Sequence, residues 1–277
     1  MLKQRIITAL VLLALLLPAL FAVSPQPLAW LALVIMSAAS WEWGRLNGLN
    51  MLPALGLTAV CMGLCAFSWL LGWAVQAPLD LWWVAGVVWV LGGVWMLRRS
   101  VQGWAAWPPS VRWMGGIVAL WLTWLAICQS KHMGVNYLLS VLALVWVADV
   151  AAYFGGRAFG RRKLAANISP GKSWEGVFSG FVGVCLVSVA WLVWDEQQSG
   201  QGLSVFSLLR QQSMAWLVFG VALLVGMSVV GDLIESLVKR SAGFKDSSSL
   251  LPGHGGVLDR IDALLPTLPL ALLLVQV

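Results

Sequence analysis

Apolar residues in this chain fall in long, nearly unbroken runs separated by short polar segments. Nine such runs lie near 6–23, 28–44, 53–73, 80–97, 113–130, 138–155, 176–194, 214–231 and 262–276. About 20 apolar residues wound as a helix span the hydrocarbon core of a bilayer, and a helix that is apolar all round has no face to turn to water. The pattern therefore predicts an all-α integral membrane protein with about nine transmembrane helices, its boundaries set to within several residues. Lys3 and Arg5 precede the first run as they would in a signal peptide. However, Leu20, Phe21 and Ala22 make a poor cleavage site and a second run follows at once, so the first run reads as an uncleaved anchor. The last run is short and contains Pro266 and Pro269. It reads as kinked or partly buried in protein.

Composition agrees with the pattern. Of 277 residues, 60% are hydrophobic and 10% charged, where a soluble domain carries about 25% charged residues. That leaves too little polar surface to cover a water-soluble globule. Many of the 19 tryptophans sit near span ends, among them Trp41, Trp43, Trp82, Trp83, Trp113 and Trp194, and read as anchors in the headgroup zone. Cys61, Cys65, Cys128 and Cys185 all lie inside apolar runs without the His or Cys company a metal site needs, so they read as packing residues.

Basic charge orients the chain. With the N-terminus in the cytoplasm, Lys131 and Arg210 alone of the 17 Lys and Arg fall outside, as the positive-inside rule requires. The 156–175 segment is then an inner loop and the 195–213 segment an outer one. The net charge of +6 expresses this topology and a basic face suited to anionic headgroups. No nucleic-acid partner is expected from it.

Acidic residues are distributed unevenly. The first five spans are almost free of acid, apart from Glu42 near the cytoplasmic end of span two and Asp80 at the first position of span four. In the second half Asp149 lies inside span six, and Glu175, Asp232, Glu235, Asp246, Asp259 and Asp262 lie on or near the cytoplasmic side. A carboxylate at membrane depth is costly and needs a cation, a partner or a function. The shift divides the chain into scaffold helices over 1–137 and a catalytic region over 138–277.

Three polar segments carry the candidate chemistry. In the first, Asp149 stands about two turns before a glycine-rich basic stretch, Gly155-Gly156-Arg157-Ala158-Phe159-Gly160-Arg161-Arg162-Lys163. This reads either as a phosphate-binding loop or as a positive-inside loop with a paired intramembrane Asp. In the second, Ser169-Pro170-Gly171-Lys172-Ser173 precedes an apolar helix. A Walker loop would need glycine where Ala166 stands, so that motif is excluded. The segment still suits a loop whose N–H groups and ammonium face an anion. In the third, Asp232, Glu235 and Lys239 share one helix face, and Asp259 and Asp262 are likewise three apart. His254 lies among glycines in a stretch that cannot be regular helix. Carboxylates from two segments beside phosphate-binding groups suit Mg²⁺, which takes oxygen ligands and shares them with substrate phosphates.

From Ser236 through Asp262 the chain resembles the phosphatidate cytidylyltransferase family. The family pattern is Ser-x-apolar-Lys-Arg, four residues, Lys-Asp, a small-residue stretch, then Pro-x-His-Gly-Gly-apolar-x-Asp-Arg-apolar-Asp. It is met here at every specified position, by Ser236, Lys239, Arg240, Lys245, Asp246, Pro252, His254, Gly255, Gly256, Asp259, Arg260 and Asp262. The Asp149–Arg157 and Ser169–Gly176 stretches resemble the family's upstream blocks.

The resemblance implies a cytidylyl transfer from CTP to phosphatidic acid that yields CDP-diacylglycerol and pyrophosphate for phospholipid synthesis. It further implies a Mg²⁺-dependent homodimer in the inner membrane of a bacterium, with the active site facing the cytoplasm. A second cation beside the acids would fit. On this reading Asp232 and Asp259 are the metal carboxylates, and Glu235 and Asp262 are their supporting acids. Lys172, Ser169, Arg240, Lys245 and Arg157 bind substrate phosphates. His254, Lys239, Arg260 and Asp246 take catalytic roles.

A transporter would place its acids at mid-membrane in matching halves, which this chain does not. A CDP-alcohol phosphotransferase would carry an Asp-Gly pair, which is absent. A non-catalytic scaffold would have no need of the acid–base cluster.

Overall fold

The computed structural model of the chain describes residues 2–198 and 202–277. Residues 199–201, within the segment expected to face outward, lie outside them. Each apolar run winds into helix, because in hydrocarbon a helix satisfies every backbone N–H and C=O within itself. Helix α1 (Leu2–Phe21) is followed by α2 (Gln26–Leu46) and α3 (Met51–Leu70). The fourth run is α4 (Leu79–Val87), a π-helical turn at Val88–Gly92, and α5 (Gly93–Ala105). Ser100 interrupts α5 with φ at 59°. Helices α6 (Pro109–Met133) and α7 (Val135–Phe159) complete the first part.

Two short strands, β1 (Lys163–Ala165) and β2 (Ser169–Ser173), pair antiparallel and lead into α8 (Trp174–Gln197). The short α9 (Val205–Gln212) precedes α10 (Met214–Ser241), and α11 (Leu258–Ile261) precedes α12 (Leu264–Gln276). Among the described residues, seven helical stretches, 3–21, 51–70, 79–105, 109–133, 135–159, 174–197 and 214–241, are long and apolar enough to cross a bilayer. The chain is thus a multi-pass, predominantly α-helical membrane protein. Helix α2, with Glu42 and Arg45, and the 13-residue α12 stand outside that set.

Two contacts matter for the site. Helices α7 and α8 pack along most of their length, because Gly176 and Gly180 each let the α7 backbone approach. A Cβ at either would meet the carbonyl of Ala152 or Ala148 at 2.8 Å. Small residues spaced by four are how helices come close in a bilayer. The hairpin between α7 and α8 is thereby fixed. Ser173 caps α8 by accepting from the Gly176 N–H at 3.2 Å. In the second contact, α12 is buried among α4, α6 and α10, and Gly231 on α10 admits the chain just before it. A Cβ there would lie 2.4 Å from the Asp262 carbonyl oxygen.

The expectation for the tryptophans needs correction. Trp83 and Trp194 are exposed as headgroup anchors would be, but Trp82 and Trp43 are buried. Trp43 donates to the Arg112 carbonyl at 2.9 Å and meets Trp104 edge-on, so it is a packing element between helices. Cys61, Cys65 and Cys128 are buried free thiols and Cys185 is half-buried.

Candidate active site

The site builds outward from α10. The hydropathic run ends near Gly231, yet the helix continues to Ser241, carrying Asp232, Glu235, Ser236 and Lys239 along one face. That extension is possible because each charge finds a partner. Asp232 Oδ2 lies 2.5 Å from the Lys172 ammonium on β2, and its Oδ1 accepts from Ser236 Oγ at 3.2 Å. The Lys239 ammonium pairs with Glu235, which is almost fully buried, and with Asp259 Oδ1 at 2.5 Å.

Asp259 starts the short α11 and is the most heavily bonded acid of the cluster. Its Oδ2 accepts from the Gly256 N–H at 2.7 Å, the Ser247 N–H at 3.0 Å and Ser247 Oγ at 2.9 Å. Burial alone would raise this carboxyl, but the Glu235 side chain, Lys239 and the Gly256 and Ser247 N–H groups outweigh it and hold it down at about 2. Asp262 follows one turn later, where the charges of Asp232, Lys172 and Lys239 act on it. Asp149 of α7 is under the influence of Lys172 and Asp232. Four carboxylates and two ammonium groups, from the β-hairpin, α10 and the α11 segment, therefore form one cluster, with Asp149 beside it.

The connecting loop is shaped by left-handed glycines, Gly253 at φ 78° and Gly255 at φ 82°, a conformation other residues adopt only with strain. Between them His254 donates its N–H to the Leu251 carbonyl at 2.8 Å and its own carbonyl accepts from Arg260 Nη2 at 2.6 Å. Its Nδ1 is buried without a hydrogen-bond partner among the described residues. Helix α1 rests on the same loop, with Arg5 Nε donating to the Gly253 carbonyl at 3.0 Å and Thr8 to Pro252 at 2.9 Å.

The other expected site residues lie at the rim. Ser169 opens β2 opposite Ala165, Asp246 and Lys245 are exposed beside the loop, and Arg157 is exposed near the end of α7. Arg240 donates to the Phe244 carbonyl at 3.4 Å. Arg260 is committed to the His254 carbonyl and so braces the loop. The glycine-rich basic stretch, open between a phosphate-binding and a positive-inside loop, is helical through Phe159 as the end of α7, and the Ser169–Ser173 segment is strand β2 of the hairpin. Glu175 accepts from the Arg161 and Arg162 N–H groups at 3.1 and 3.2 Å, which places backbone donors of the basic stretch on an acid of the chain itself.

One residue outside the expected set belongs to this architecture. Glu42 of α2 is fully buried and accepts from Val257 N–H at 2.9 Å, Leu258 N–H at 2.7 Å, Ser248 Oγ at 2.5 Å and Ser247 Oγ at 3.2 Å. The signal in the sequence is an acid inside an apolar run of the first half, where Asp80 at the start of the fourth run is the other acid.

Among the described residues, no group of three or more His, Cys, Asp or Glu side chains converges as a ready metal cage. The donor chemistry nonetheless suits Mg²⁺, which is commonly held by one or two carboxylates and completed by water and substrate phosphates. Asp232, Asp259 and Asp262 offer hard oxygens, with lysine ammonium groups among them that neutralise their charge.

Comparison with known proteins fits this arrangement. The chain is 38% identical to the phosphatidate cytidylyltransferase of Pseudomonas aeruginosa, over 97% of this chain and 95% of that one. It is 33% identical to the protein of that name from Haemophilus influenzae, over 97% and 96%. The chloroplastic phosphatidate cytidylyltransferase 5 of Arabidopsis thaliana is 40% identical over 56% of this chain and 36% of that one. The cytidylyltransferase family model matches residues 3–277, and the chain belongs to that family.

Proposed function

We propose that the protein transfers the cytidylyl group of CTP to phosphatidic acid, forming CDP-diacylglycerol and pyrophosphate for phospholipid synthesis. The observation that carries this reading is the charge cluster itself. Two lysines from separate elements, Lys172 and Lys239, hold ammonium groups against carboxylates in a family whose members use a nucleoside triphosphate. A phosphate oxygen of phosphatidate attacks the α-phosphorus of CTP; the new P–O bond forms as the bond to the β-phosphate bridging oxygen breaks, and pyrophosphate leaves with the electron pair. The nucleophile is already anionic near neutral pH, so no strong base is required. The difficulty is to bring two polyanions together in line.

Lys172 and Lys239 meet that demand by exchanging carboxylate partners for phosphate oxygens. Ser169, Arg240, Lys245 and Arg157 extend the cationic rim for the substrates' outer phosphates. His254, with its buried Nδ1 unpartnered, has a polar atom to offer pyrophosphate as it departs, and Arg260 holds the His254 backbone in place. Asp246 beside Gly255 orients the rim cations. Asp232 and Asp259 would hold Mg²⁺, with Glu235 and Asp262 supporting them and leaving room for a second cation. When bound, Mg²⁺ supplies charge neutralisation on the transferring phosphates.

The same reading takes the helices as nine spans. Helix α2 packs on α3 and α6, and α12 lies within the bundle, where short or broken segments are tolerated because protein surrounds them. The cluster then faces the cytoplasm of a bacterial inner membrane, the side that the basic residues mark. A homodimer, expected from the resemblance, completes the assembly, and light scattering on the detergent-solubilised protein tests it. The activity is tested by incubating purified protein with radiolabelled CTP and phosphatidic acid, with and without Mg²⁺. A labelled, solvent-extractable lipid formed only with both substrates supports the reading. Label that stays aqueous refutes it.

A further inference from the structure

We propose that Glu42 is a positioning residue for the transfer reaction, holding Asp259 in place from the opposite half of the chain. The proposal rests on Asp259 being an acid of the site. Glu42 is fully buried and makes no ion pair with a basic residue among the described residues. A carboxylate in such surroundings is expensive unless its oxygens are satisfied. Here the donors are the N–H groups of Val257 and Leu258 and the hydroxyls of Ser247 and Ser248. They come from both ends of the loop that contains His254, so one side chain of α2 ties the loop shut immediately before Asp259.

Ser247 makes the link to Asp259 direct. Its hydroxyl oxygen lies 3.2 Å from Glu42 Oε2 and 2.9 Å from Asp259 Oδ2. A hydroxyl has one proton, so it donates to one carboxylate at a time and the two acids share it. Gly256 is required by the same packing. A Cβ there would meet Ser247 Oγ at 1.9 Å and Glu42 Oε1 at 2.6 Å. A glutamine at position 42 would match the shape but turn an NH₂ donor toward donors on one side, leaving either the Val257 or the Leu258 N–H without its acceptor. The effect would be felt where Asp259 must keep its geometry as the phosphates react, more than in ground-state binding of CTP.

The test uses the full-length protein in detergent, with Glu42→Gln, Glu42→Asp and Ser248→Ala. Two quantities are read: amide hydrogen exchange over 247–262 without nucleotide or metal, and kcat against the KM for CTP per folded enzyme. Glu42→Gln is expected to speed exchange in that segment by about tenfold, reporting local opening. It should lower kcat by about 30-fold or more while the KM moves by less than about threefold. Glu42→Asp, which keeps the charge, should recover part of the kcat, and Ser248→Ala should fall between. Unchanged kcat and exchange in Glu42→Gln would overturn the proposal. Should that variant not accumulate folded, the same null result in Ser248→Ala would overturn it. A wild-type protein that makes no CDP-diacylglycerol would instead sink the functional reading, while the exchange data would still decide the Glu42 contact.

Discussion

The Lys172 ammonium on the β-hairpin lies 2.5 Å from Asp232 Oδ2 on α10. Their side chains are 24% and 30% exposed, so the pair can open to substrate without breaking a sealed core. A lysine held by an acid until a phosphate arrives stays near its working position and neutralises that acid in the meantime. Replacing Lys172 with Ala removes a phosphate ligand and leaves Asp232 repelling CTP. The KM for CTP should rise by about tenfold or more, an effect of ground-state binding. Steady-state kinetics at several CTP concentrations check this.

Asp232→Asn and Asp259→Asn are each expected to cut turnover by at least about 100-fold, because each removes an anion needed for charge stabilisation. Their folding should differ. Asp232 has one lysine and one hydroxyl partner, whereas Asp259 accepts from Lys239, from Gly256 and twice from Ser247. Losing that arrangement should lower stability by about 1–3 kcal/mol. Thermal unfolding in detergent should therefore separate the two variants, with Asp232→Asn close to wild type and Asp259→Asn clearly lower.

Substitution of Gly231 by Ala should disturb the site without touching any charge. The added methyl would sit 2.4 Å from the Asp262 carbonyl oxygen and 3.1 Å from Ala263 Cα, both backbone atoms that cannot swing aside. A cost of about 1–3 kcal/mol is expected from overpacking. Activity should fall with it, because α10 and Asp262 would be pushed apart. Equal stability and activity in the variant would show that α10 and the chain before α12 are not in contact.

Topology has its own test. Single cysteines at Lys163, in the hairpin, and at Gln211, in α9, are introduced into a background lacking Cys61, Cys65, Cys128 and Cys185. An impermeant thiol reagent added to intact cells should label position 211 and leave position 163 unlabelled. The reverse result would invert the orientation, and labelling of both would mean a different span count.

Much of this arrangement was legible in the sequence because its signals are local. Apolar runs gave the helices of the bundle, and the three- and four-residue spacing of Asp232, Glu235 and Lys239 gave their common face. What the sequence withheld depends on contacts between distant segments. Helix α10 outlasts its apolar run by ten residues, Asp232 to Ser241, since its charges are paired by residues elsewhere in the chain. The hairpin is hidden in the sequence because Pro170 and Gly171 break any strand pattern. It is held in place by the close packing of α7 on α8. Trp43 and Trp82 look like headgroup anchors by position, yet neighbouring helices bury them. Glu42 stood out as an acid, but its partners Ser247, Ser248, Val257 and Leu258 lie about 200 residues away in the chain.

The attack on the α-phosphorus at this cluster can be followed with phosphorus label at two positions of CTP. Wild-type protein, phosphatidic acid and Mg²⁺ should move α-labelled phosphate into the lipid fraction and γ-labelled phosphate into pyrophosphate. Asp232→Asn should move neither. Entry of the γ-label into lipid would mean phosphoryl rather than cytidylyl transfer, and undiminished α-label transfer by Asp232→Asn would place the chemistry elsewhere in the protein.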